Sequence, residues 1–156
     1  MQTQTLKKIL NDFPIPYKSS SSQLDIEIQG IEYDSRQIKP GYLFVALEGG
    51  NVDGHAYIEA AITNGAVAIV GSQPIEKWLH DEIPYLQFTN SKEALGYLSA
   101  SYYEYPSRSF ILIGVTGTDG KTTTSNLIYQ ILRTAGFKVG MISTVNAQIG
   151  DEILDT

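Results

Sequence analysis

The stretch Phe110-Ile111-Leu112-Ile113-Gly114-Val115-Thr116-Gly117-Thr118-Asp119-Gly120-Lys121-Thr122-Thr123 decides how this chain is read. Its first half is almost wholly apolar, the pattern of a strand buried on both faces of a sheet. Its second half is a glycine-rich loop that ends in a lysine and a run of hydroxyls. Behind it, Leu127, Ile128, Ile131, Leu132 and Ala135 recur at helical spacing. That spacing predicts a helix over 121–135, stopped by Gly136. Strand, loop and helix in this order form the setting that a phosphate-binding loop needs. Glycines let backbone N–H groups approach phosphate oxygens without a Cβ in the way. The helix start adds unpaired donors and roughly half a positive charge. Lys121 supplies a full charge for the β- and γ-phosphates, and the hydroxyl of Thr122 or Thr123 can sit on Mg²⁺. The general pattern G-x-x-x-x-G-K-[ST] wants glycine at position 115, where this chain has Val115.

Working outward, residues 138–142 read as a strand and 145–154 as a hairpin across Gly150-Asp151. Upstream, Pro106-Ser107-Arg108-Ser109 reads as a hinge, which divides the chain into domains 1–105 and 106–156. A short helix is expected over 3–12, with Leu6, Ile9 and Leu10 on one face and Pro14 and Pro16 beyond it. The serines at 19–22 read as a flexible surface turn. Residues 25–33 alternate as a strand, with a bulge at Gly30. Then follow a buried strand at 42–47, a loop at 48–54 and a helix at 55–63 closed by Asn64-Gly65. A strand at 66–70, a helix at 74–81, a strand at 85–88 and a helix from Ser91 complete the first part, the last with Leu95, Leu98 and Tyr102 inward. Alternating strands and helices indicate an α/β fold with a largely parallel sheet.

The chain has 156 residues, 42% of them hydrophobic, and a net charge of −6. An acidic surface repels phosphate backbones and anionic membranes, so neither nucleic acid nor membrane is expected as a partner. There is no cysteine, which excludes disulfides, thiolate zinc sites and cysteine nucleophiles. Residues 1–20 lack the apolar stretch of a signal peptide, and a cytoplasmic protein is expected.

The segment 114–124, Gly-Val-Thr-Gly-Thr-Asp-Gly-Lys-Thr-Thr-Thr, closely resembles the ATP loop of the Mur ligases, the ATP-dependent amide ligases of peptidoglycan precursor synthesis. Their loop usually reads G-x-T-G-T-N-G-K-T-T, and the departure here is Asp119 in place of Asn. A second segment is similar to the N-terminal UDP-binding domain of the same family: Tyr33-Asp34-Ser35-Arg36, then 39–47, then Asn51-Val52-Asp53-Gly54-His55-Ala56-Tyr57-Ile58. The stretch from Gly140 to Val145, with Ile149-Gly150-Asp151-Glu152 and Leu154-Asp155-Thr156, is similar to members that add the third peptide residue to UDP-N-acetylmuramoyl-L-Ala-D-Glu.

The resemblance implies a small mixed or parallel-sheet UDP-substrate domain followed by the first βαβ of a P-loop ATPase domain. It implies ATP and Mg²⁺ as cofactors, bound by Gly117, Thr118, Asp119, Gly120, Lys121, Thr122 and Thr123, with Lys121 catalytic and Thr122 on the metal. It implies that Tyr33, Ser35, Gly50, Asn51 and Val52 hold the uridine end of the substrate. The second substrate would be an amino acid, diaminopimelate or lysine. The alternatives are a ligase adding D-Ala-D-Ala, a non-catalytic UDP-sugar-binding module and an unrelated P-loop kinase or GTPase. Because the family's enzymes are about three times longer, the 156 residues alone are expected to be inactive.

Overall fold

A computed structural model describes every residue except 1, 2, 12, 50, 51, 79, 81, 151 and 156. The chain forms two compact units, Met1–Ser109 and Phe110–Thr156.

The first unit starts with a two-residue strand β1 (Gln4–Thr5) and one turn of helix α1 (Leu6–Ile9). The expected helix over 3–12 is therefore much shorter. Gln4 and Thr5 pair antiparallel with β3 (Glu27–Ile28), and the amides of Leu6 and Lys7 donate to Ile26 O and Leu24 O. Thr5 caps the turn by accepting from the Lys8 amide at 3.2 Å. Leu6, Ile9 and Leu10 are buried together, as their spacing predicts.

Residues 25–33 do not form one bulged strand. They divide between β3 and β4 (Gly30–Glu32), which belong to different sheets. The glycine marks the crossing: a Cβ on Gly30 would come within 2.7 Å of the Tyr42 ring. The serine run is also more ordered than a flexible turn. Strand β2 (Lys18–Ser19) pairs antiparallel with the edge of the main sheet, and Ser20 Oγ accepts from the Tyr85 amide at 2.9 Å.

The main sheet has the order β2-β7-β6-β5-β4 and adds β5 (Tyr42–Val45), β6 (Ala66–Gly71) and β7 (Tyr85–Gln87). Strands β4 to β7 run parallel, with Leu43 opposite Ala68 and Val45 opposite Val70. Alternate side chains go to opposite faces. Leu43, Val45, Ala68, Val70, Leu86 and Phe88 pack with α1 and with helix α3 (Ser91–Tyr102). Phe44, Ala46, Ile69 and Tyr85 pack with helix α2 (Ile58–Thr63). Both faces are covered, as a parallel sheet demands.

Helix α3 follows its expected range. Asn90 Oδ1 accepts from the amides of Lys92 and Glu93 at its start. At its end Glu104 and Tyr105 both take the left-handed conformation, and the Tyr105 amide returns to Ala100 O at 2.7 Å. The expected helix over 74–81 is absent, and the described part holds a single 3₁₀ turn at Ile75–Lys77. The Ile75 amide is taken by Gln87 Oε1, while the Trp78 indole donates to Ile83 O and stacks on Tyr85. These contacts use the segment as a packed connection between β6 and β7.

In the second unit, 110–115 forms no regular secondary structure, and Ile111 is 90% exposed. The expected buried strand is not formed, because no strand lies beside it among the described residues. Helix α4 (Lys121–Thr134) follows, with Gly136 in the left-handed conformation just past it. Its buried residue is Tyr129, whose hydroxyl donates to Gly150 O, whereas Leu127 and Ile131, two of the residues that recur at helical spacing, are exposed. Strand β8 (Gly140–Ile142) pairs antiparallel with β9 (Asn146–Ile149), and β9 with β10 (Glu152–Asp155), so the expected hairpin forms.

Leu43 lies fully buried in the central layer. Truncation by Leu43→Ala is expected to cost about 2–5 kcal/mol in denaturant unfolding of the first unit. A loss below about 0.5 kcal/mol would contradict this core assignment.

Candidate functional site

Parallel strands deliver their C-terminal ends to one edge of a sheet, where ligands bind in open α/β folds. Here the loops after β4, β5 and β6 emerge at that edge. After β4, Glu32 Oε1 accepts from the amides of Tyr33 and Asp34. Asp34 then caps a 3₁₀ turn at Ser35–Gln37 by accepting from the Arg36 amide at 3.0 Å. Its carboxylate also receives Arg36 Nε at 2.9 Å and Nη2 at 2.6 Å. The fork and the amide together hold the Asp34 carboxyl down at about 2. Asp34 and Arg36 thus satisfy each other. Ser35 between them is only 8% exposed, its carbonyl accepts from Asn64 Nδ2, and its hydroxyl has no hydrogen-bond partner among the described residues. Tyr33 stands exposed beside it.

After β5 the chain makes a narrow loop closed by a bridge between Glu48 and Asp53. The Gly49 amide donates to Val52 O at 2.9 Å, and Val52 is exposed. Gly50 and Asn51, expected to touch the uridine, lie outside the described residues. Asp53 caps a second 3₁₀ turn, Gly54–Tyr57, through the His55 amide. The His55 ring donates from Nδ1 to Asp53 Oδ1 at 2.6 Å, and Nε2 accepts from the Ser72 and Gln73 amides at 3.0 and 3.4 Å. The amide and ring of His55 hold the Asp53 carboxyl below its ordinary value. With its side chain 3% exposed and both nitrogens engaged, His55 is structural. Ser72, Gln73 and Glu48, where Ser72 Oγ donates to Glu48 Oε1 at 2.5 Å, escaped the sequence reading because no spacing marks them.

In the second unit, Gly117 and Gly120 take positive φ values of 152° and 74°. Left-handed Gly120 opens α4, whose first fixed bond runs from the Thr124 amide to Gly120 O. Among the described residues, no hydrogen bond uses the amides from Gly117 through Thr123. Lys121 Nζ lies on the loop itself, donating to Gly117 O at 2.6 Å and Thr118 O at 3.0 Å. Asp119, Thr122 and Thr123 are exposed. Open amides, an ammonium and two hydroxyls at a helix start suit a polyphosphate. Among the described residues no group of three His, Asp or Glu is placed to hold a metal alone. A metal here would share its coordination between Thr122 and phosphate oxygens. No helix among the described residues is long and apolar enough to cross a membrane.

Residues 27–103 match the Mur ligase family, catalytic domain, and residues 115–156 match the Mur ligase middle domain. A UDP-N-acetylmuramoyl-L-alanyl-D-glutamate--2,6-diaminopimelate ligase of Bacteroides fragilis is 45% identical over 152 residues, covering 97% of this chain and 30% of that protein. A solved structure of a ligase of the same description superposes with a TM-score of 0.70 at 21% identity, over 97% of this chain and 30% of the other, a likeness of fold alone. A MurF ligase from Thermotoga maritima in complex with ADP superposes with a TM-score of 0.53 at 30% identity, over 67% of this chain and 23% of that one. The chain thus spans about 30% of the length of the relative from Bacteroides fragilis.

The Asp34–Arg36 fork gives a titration test. A depressed carboxyl contributes stability that is present above the ordinary value of 3.8 and is lost as pH falls through about 2. Carboxyl NMR should find Asp34 titrating near 2, and Arg36→Ala should return it toward 3.8. An unchanged Asp34 titration in that variant would remove the fork as the cause.

Proposed function

Because the chain belongs to the Mur ligase family, we propose that it carries the UDP-substrate unit and the phosphate loop of an ATP-dependent ligase. The reaction is the addition of diaminopimelate to UDP-N-acetylmuramoyl-L-Ala-D-Glu, in the cytoplasm, during peptidoglycan synthesis. The observation that carries this reading is the 45% identity to a diaminopimelate ligase, which runs over 97% of the chain and so through both units. The likeness to a MurF ligase, at 30% identity over 67% of the chain, favours the D-Ala-D-Ala-adding alternative less.

In this reaction the γ-phosphoryl of ATP passes to the D-Glu γ-carboxylate and ADP leaves. The incoming amine then attacks the acyl phosphate, forming the amide and releasing phosphate. Lys121 places its ammonium where charge grows on the transferring group, which lowers the barrier electrostatically. The unused amides from Gly117 to Thr123 hold the polyphosphate. Mg²⁺, when bound, supplies further neutralisation of the phosphates, and Thr122 would hold it. Asp119 brings a carboxylate to the same loop, a repulsive element that Lys121 and Mg²⁺ offset. In the first unit the free Ser35 hydroxyl and the exposed Tyr33 and Val52 receive the uridine end, together with Gly50 and Asn51.

Calorimetric titration of the chain with UDP-N-acetylmuramoyl-L-Ala-D-Glu, and separately with Mg-ATP, tests this assignment. We expect the UDP compound to bind, and Ser35→Ala to weaken it by about tenfold. We expect Lys121→Ala to leave that affinity unchanged while reducing whatever Mg-ATP binding the parent chain has. Absence of UDP-compound binding by the parent chain would overturn the substrate assignment.

A further inference from the structure

We infer that the Ser72–Gln73 turn is a positioning element that holds Glu48 and Asp53, the two legs of the loop after β5, and so sets Val52 for the uridine end of the substrate. This inference rests on the substrate assignment above. Among the described residues the loop is tied within itself by the Glu48–Asp53 bridge, by the Gly49 amide to Val52 O and by the Gly54 amide to Leu47 O, and Asp53 also takes the amides of His55 and Ala56. The turn adds a tie to each leg. Ser72 Oγ holds one leg through the Glu48 carboxylate at 2.5 Å. Gln73 Nε2 holds the other through Asp53 Oδ2 at 3.2 Å, and both turn amides hold it through His55 Nε2. The turn is itself fixed from behind, where the Tyr85 hydroxyl donates to Gln73 O at 3.0 Å.

Gly71 lets these groups converge. A Cβ there would stand 2.5 Å from both His55 Nε2 and Tyr85 Oη, so a side chain would push the clamp apart. The backbone amides of Ser72 and Gln73, the Ser72 hydroxyl, and the Gln73 carbonyl and side-chain nitrogen are all engaged with the clamp. These residues therefore act through the loop and not on the ligand. Exposed Val52 loses conformational freedom when it is ordered against a ligand, and it loses less where the legs on either side are already held. A clamp on both legs thus converts directly into affinity.

The test uses the 156-residue chain with Ser72→Ala and Gln73→Ala combined. Three quantities are read: calorimetric affinity for UDP-N-acetylmuramoyl-L-Ala-D-Glu, the thermal midpoint, and amide hydrogen exchange at Gly49 and Gly54. The expected result is about tenfold weaker binding with a less favourable binding entropy. Exchange at both glycines should quicken in the free chain, the midpoint should move by only a few degrees, and Ser72→Thr alone should bind like the parent. Unchanged affinity, or unchanged exchange at the glycines, overturns the inference. So does a loss of affinity that merely tracks a collapse of the midpoint. If the parent chain fails to bind the UDP compound, the substrate assignment fails, and the exchange data still decide whether the turn holds the loop.

Discussion

Burial of β5 and β6 on both faces is the constraint on which the rest of the first unit depends. Leu43, Val45, Ala68 and Val70 face one helical layer, and Phe44, Ala46 and Ile69 face the other. A strand wrapped in this way has no polar face to turn toward water, so its register and direction are fixed. Its end must then open at one edge of the sheet. The loops after β4, β5 and β6 meet there because the strands are parallel, and not because the loops attract one another. The same constraint explains why side chains distant in sequence, such as Glu48 and Ser72, lie within hydrogen-bonding distance.

The parts of this arrangement that were legible in the sequence are those with a short-range cause. Apolar runs at 42–47 and 66–70 announce buried strands. Gly136 announces the end of α4, because capping is local. The illegible parts have long-range causes. Gly30 breaks the alternation of its segment in a way that a bulge would share, and only the Tyr42 ring above it reveals a change of sheet. Residues 74–81 have helical composition, yet the Ile75 amide goes to Gln87 Oε1 on β7, and the Trp78 indole to Ile83 O and the Tyr85 ring. Residues 110–115 carry the pattern of a doubly covered strand, but a strand needs neighbours, and apolar composition does not supply them. At the site, Ser35 and Lys121 were visible through motifs. The Ser72–Gln73 turn was not, because it is defined by what it touches.

The two candidate sites use opposite electrostatic strategies. The Asp34–Arg36 fork closes on itself and leaves a neutral hydroxyl between its members. A hydroxyl both donates and accepts, which suits a ligand edge that is polar but uncharged. The loop at 117–123 instead leaves its amides open and parks an ammonium on its own carbonyls. That suits a ligand bearing several negative charges, which draws the ammonium away from carbonyls that bind it less strongly. A net charge of −6 over the chain makes such local positive potential necessary for a polyanion to approach.

Trp78 is the chain's single tryptophan, and its ring stacks on Tyr85 with centroids 4.9 Å apart. The Tyr85 hydroxyl in turn donates to the Gln73 carbonyl. The sequence thus contains one indole fluorophore, joined through Tyr85 to the turn that holds Glu48 and Asp53. Its emission has no competing indole anywhere in the sequence. Excited selectively at its red edge, that indole would record movement of the turn optically, in real time and without a label.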